Sequence, residues 1–111
     1  MQQENKIFPG RISFIQRKLS DFKINALIFL NIINIRYLSG FTGSDGVLII
    51  CPDRSFMLVD GRYTTQAALE VQNIPVIEYK DKVEGIIQAI SDLGLKPVSY
   101  THLTLQTKRI V

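Results

Sequence analysis

The chain has 111 residues, 46% of them hydrophobic and 21% charged, a balance that suits one globular domain around one core. A single cysteine, Cys51, excludes a disulfide framework within the chain, and a reducing compartment is expected. The net charge of +3 does not mark a nucleic-acid binder, because Val98–Val111 supplies Lys108 and Arg109 with no acid, and no arginine–aromatic stripe accompanies that charge.

The opening MQQENK has neither the basic region nor the apolar run of a signal peptide. Pro9 fits the first turn of a helix, where its absent N–H costs nothing. Ile12, Ile15, Leu19 and Phe22 recur at three- and four-residue spacing between charged residues, which predicts an amphipathic helix over Pro9–Phe22. Lys23–Asn25 turns the chain. Ala26–Leu30 is a continuous apolar run, expected to be a strand covered on both faces. The stretch ALIFLNIINI is broken by Asn31 and Asn34 and is too short to span a bilayer, so no membrane association and a cytoplasmic location are expected. Both asparagines are helix-capping types, and Ile32–Leu38 is expected to be a short helical turn.

Val47–Ile50 and Phe56–Val59 are apolar strands around the turn signal Pro52–Arg54, hence a hairpin. Asp60 can cap a helix over Thr64–Gln72, with Ala67, Ala68 and Val71 as its buried stripe. Ile74–Tyr79 reads as a fourth strand. Val83, Ile86, Ile87, Ile90 and Leu93 mark a last amphipathic helix, which Gly94 would stop. Strands alternating with helices predict a layered α/β domain with a mixed sheet. The segment VSYTHLTLQT resembles the in-frame translation of a sequencing-library adapter. Residues 98–111 are therefore expected to be a non-native tail; the alternative is a strand over Val98–Leu105 with period-two alternation.

Two stretches carry the chemistry. In NIRYLSGFTGSDGVLII, Gly40, Gly43 and Gly46 stand at G-x-x-G-x-x-G spacing before a strand. That is neither a Walker loop nor a dinucleotide fingerprint. It reads as a tight loop needing positive φ, or as a close approach of backbone to a ligand or neighbouring subunit. In LVDGRYTTQA a strand ends on Asp60, and Arg62 opens the following helix. Open α/β sheets bind ligands at such strand ends. A guanidinium there can grip a carboxylate or reach a peptide carbonyl, or it can simply pair with Asp60. Tyr37 and Phe41 would add apolar surface if the two loops are neighbours. No metal-ligand spacing is present, and Ser39 and Ser44 have no credible histidine base, so no catalytic residue is assigned. Cys51 reads as a small buried hydrophobe.

These two blocks, in this order, resemble the N-terminal domain of the creatinase, prolidase and aminopeptidase P family, with the Xaa-Pro aminopeptidase branch most similar. The resemblance covers residues 8–97 and implies a three-layer, ribonuclease H-like α/β fold. It implies a further C-terminal domain that binds two divalent metals, manganese being usual, through two Asp, one His and two Glu. A metal-bound hydroxide there attacks the peptide bond before proline. Residues 1–97 are then an incomplete N-terminal domain that shapes the substrate pocket and the homo-oligomer interface and is inert alone. The resemblance makes Arg62 a peptide contact and the partner a peptide with proline second. Prolidase or creatinase parentage, or a non-catalytic chaperone-like module of the same fold, are the alternatives; Arg62 within DGRY favours a peptidase.

Overall fold

The computed structural model describes residues 7–71 and 73–94. The expected strand over 98–105 and the suspected tail lie outside the described residues. Helix α1 spans Ile7–Phe22, strand β1 Leu27–Phe29, helix α2 Ile32–Ser39, β2 Val47–Ile50 and β3 Ser55–Val59. A 3-10 turn over Gly61–Tyr63 leads into α3, Thr64–Glu70; β4 is Val76–Glu78 and α4 is Lys82–Asp92.

The four strands lie in sheet order β1-β2-β3-β4. The first two pairings are antiparallel, with Leu27 opposite Ile50 and Val47 opposite Leu58. The last is parallel, with Met57 opposite Val76. The mixed α/β architecture expected from the alternation of elements is therefore present. Because successive side chains of a strand point to opposite faces, the apolar runs fill two cores at once. Leu27, Phe29, Leu48, Ile50, Met57 and Val59 face α1, α2 and α3. Ile28, Val47, Ile49 and Leu58 face α4 through Ala89 and Ile90. Burial of β1, β2 and β3 between two helical layers explains why these strands show no polar alternation.

Several expectations need correction. Phe22 is 70% exposed, since it ends α1 past the edge of the sheet. Leu30 lies just beyond β1 and is exposed. Ala68 is exposed, because a seven-residue helix on a sheet buries a single narrow row, here Ala67 with Val71 just beyond it. Val83 and Ile87 are also exposed; only Ala89 and Ile90 of α4 are fully buried. The fourth strand is shorter than Ile74–Tyr79, because Ile74 and Tyr79 flank its paired residues.

Candidate functional site

β3 and β4 run parallel, so both end at the same edge of the sheet; β2, antiparallel to β3, begins there. Asp60, Glu78 and the loop before Val47 are thereby gathered at one end. The loop starts where α2 stops. Gly40 sits at φ +82° with its N–H bonded to the Arg36 carbonyl, a left-handed stop that glycine adopts without strain. Of the three glycines only this one needs positive φ. Gly43 answers a different demand: a Cβ there would stand 2.3 Å from the ring of Phe41, which is folded beneath it.

The loop is fastened along its length. The Ser39 hydroxyl donates to the Ile35 carbonyl at 2.6 Å and accepts from Phe41 N. Thr42 donates from its backbone and its hydroxyl to the Glu70 carboxylate of α3, at 2.8 and 2.7 Å. The Ser44 hydroxyl bonds the phenol of Tyr63. Asp45 pairs with Lys82 of α4 at 2.6 Å. Phe41 meets Tyr63 edge to face, with ring centroids 5.7 Å apart. The two sequence blocks are thus neighbours, joined through Tyr63.

Asp60 closes the edge. Its carboxylate accepts from Arg62 N at 2.9 Å and from the Arg62 guanidinium at Nη2, 2.9 Å, and Nε, 3.2 Å. The guanidinium beside it holds the Asp60 carboxyl below its ordinary value. The pairing weighed as the plain alternative for Arg62 is therefore what the structure contains, yet the Arg62 side chain remains 69% exposed. An exposed pair of this kind is worth little in net stability, so an incoming oxygen acceptor can share the guanidinium at small cost. The Glu78 carboxylate lies over Gly61, where a Cβ would come within 3.1 Å of it. Beneath the edge, the Tyr79 hydroxyl is buried without a hydrogen-bond partner among the described residues. Burial first, then the charges of Asp45 and Asp60, push its pKa up.

The three residues expected to line a ligand surface fall in different surroundings. Arg62 stands exposed at the strand end. Phe41 is wholly buried and supports the loop from below. Tyr37 is 58% exposed on α2, with the Arg11 guanidinium 3.8 Å over its ring. Sequence reasoning passed over Tyr63, Asp45 and Lys82, which tie the loop to its neighbours; the polar residues between the glycines were the available signal. Cys51 is buried and its thiol is pushed up to about 11, chiefly by burial, as a small hydrophobe's would be. Among the described residues no group of three or more His, Cys, Asp or Glu could hold a metal ion, so they do not fit a metal centre. No helix among them is long and apolar enough to cross a membrane.

A family model described as the creatinase/prolidase N-terminal domain matches residues 11–107. An uncharacterized peptidase, YqhT, of Bacillus subtilis is 30% identical over 78 residues, covering 69% of this chain and 22% of its own length. The aminopeptidase P (Xaa-Pro aminopeptidase) structure from Streptococcus thermophilus superposes with a TM-score of 0.72 at 26% identity, over 88% of this chain and 84% of that one. The N-terminal domain of the cytoplasmic peptidase PepQ from Mycobacterium tuberculosis gives a TM-score of 0.60 at 33% identity, over 64% of this chain and 56% of that one. This chain thus spans about a fifth of the Bacillus relative's length.

Proposed function

The chain belongs to the creatinase/prolidase N-terminal domain family, and on that premise we propose that it is the substrate-shaping domain of a cytoplasmic Xaa-Pro aminopeptidase. The bond-breaking chemistry belongs to a C-terminal domain that carries two divalent metals, with manganese the expected ion. The described residues hold no fitting ligand set. In this reading the strand-end edge forms one wall of the peptide site. Arg62 donates to a peptide carbonyl or carboxylate. Asp60 holds the guanidinium in place until the acceptor arrives. The pinned loop 40–46 gives the wall a fixed shape, with Phe41 as its support and Tyr37 toward its rim.

The observation that carries the reading is an arginine 69% exposed yet oriented by Asp60 at the end of parallel strands. A guanidinium folded for stability alone gains little from so exposed a pair. The test is Arg62→Ala in the full-length parent enzyme. Expected is a fall in kcat/KM of about tenfold or more on an Xaa-Pro peptide, the scale of one lost charge-assisted hydrogen bond. The melting temperature should move little. Unchanged kinetics with a clear loss of stability would make Arg62 a structural residue only.

A further inference from the structure

The charges gathered at the strand-end edge cancel in pairs, with one left over. Asp45 is held by Lys82 at 2.6 Å and Asp60 by Arg62 at 2.9 Å. Glu78, the last residue of β4, is exposed and forms no ion pair among the described residues. Lys80 and Lys82 follow it by two and four residues, yet neither is paired with it.

The place of this carboxylate is set by the fold. β3 and β4 pair in parallel with Val59 opposite Glu78, so Glu78 leaves the sheet level with the point where β3 gives way to Asp60 and Gly61. Gly61 makes room for it. A Cβ there would stand 3.1 Å from Glu78 Oε2 and 3.6 Å from its Cδ. Gly61 has no positive φ that would call for glycine, so the carboxylate is the neighbour that its missing side chain accommodates. An ionised carboxylate only accepts hydrogen bonds and a guanidinium only donates them. One of each, Glu78 and Arg62, thus stands beside Gly61, both exposed.

Resting on the reading of this edge as a wall of the peptide site, we infer that Glu78 selects peptides with a basic side chain beyond the proline. It takes the cation of that side chain while Arg62 takes a backbone oxygen. With the neighbouring charges cancelled, the group that complements a free carboxylate is a full positive charge; a neutral peptide N–H makes the weaker bond. The α-ammonium group of the peptide fits less well. It adjoins the bond that is cut, and in this reading that chemistry belongs to the other domain. A wall built by this domain meets the peptide further along.

The test uses the full-length parent enzyme and two matched pairs of peptides: Ala-Pro-Arg-Ala with Ala-Pro-citrulline-Ala, and Ala-Pro-Ala-Arg with Ala-Pro-Ala-citrulline. Citrulline keeps the shape of arginine without its charge. In at least one pair the arginine peptide should be favoured in kcat/KM by about fivefold, the upper end for an exposed ion pair, and through KM more than kcat. Raising the salt from about 20 mM to about 0.5 M, where the Debye length is about 4 Å, should remove most of that preference. Glu78→Gln should bring the ratio to about one and leave the citrulline peptides cleaved as before, and Glu78→Lys should invert it. Gly61→Ala, which pushes the carboxylate aside, should shrink the preference as well. Equal cleavage within both pairs by the unaltered enzyme would overturn the inference and leave the reading of the edge standing. So would a Glu78→Gln variant that keeps the preference or loses both peptides of a pair alike. No cleavage of any of the four peptides would overturn that reading, and the inference with it.

Discussion

Gly43 and Gly46 look alike in the sequence, three residues apart in one loop, and the structure separates them. A Cβ on Gly43 would collide with the buried ring of Phe41, whereas one on Gly46 would meet its neighbours at 3.4 Å or more. Gly43→Ala should therefore cost about 1–3 kcal/mol, the usual range for overpacking, while Gly46→Ala should be neutral or stabilising by up to about 1 kcal/mol. Urea denaturation of the two variants measures the difference. Cys51 offers a second test. Its folded thiol is pushed up from 9.0 to about 11 by burial. The folded state thus keeps a proton that the unfolded state gives up. Stability should fall as pH climbs from about 9 to about 11. At pH 8 a thiol reagent should label Cys51 only after denaturant is added. The pairing of Arg62 with Asp60 was legible because DGRY puts opposite charges two residues apart. The surroundings of Phe41 and Tyr37 were not, since whether an aromatic faces solvent or core depends on tertiary packing that no local pattern encodes.

At the scale of elements, helix α2 is marked by its cap. Asn31 accepts from Ile33 N at 2.8 Å and Asn34 N at 3.4 Å, and opens an eight-residue helix that few other local features favour. Asn31→Ala should cost about 1 kcal/mol, the typical loss for a side-chain cap. Thermal melting followed by circular dichroism would register it, and Asn31→Asp should recover most of the loss. The existence and type of each described strand and α-helix were readable from periodicity and turn signals, whereas the 3-10 turn over Gly61–Tyr63, which takes the Asp60 cap, was not. Their ends were less so. β4 pairs no further than Glu78 because β3 stops at Val59, and the exposed rows on α1 and α4 reflect how far the sheet extends beneath them. Both are properties of a neighbour and not of the segment itself.

For the molecule as a whole, a two-sided core surrounds one sheet, and the polar side chains of the pinned loop are engaged by their neighbours. The Ser44 hydroxyl is engaged by Tyr63 and the Asp45 carboxylate by Lys82. We expect the 111-residue chain by itself to release no arginine above blank from Arg-Pro-Pro with manganese added; sustained turnover would place catalysis within this domain. Joining the chain to a full-length parent should bring the activity, and only there would Arg62→Ala be felt.

The order of strands in the sheet repeats their order along the chain. Each strand therefore finds its partner in the segment made just before it. β2 and β3 can zip as a hairpin through the short turn Cys51–Arg54, while β1 reaches β2 through helix α2 and β3 reaches β4 through helix α3. Among the described strands, none is inserted between two that emerge before it. The fold can be laid down in the direction in which it is translated, with the edge that carries Glu78 and Tyr79 the last part of the described sheet to close.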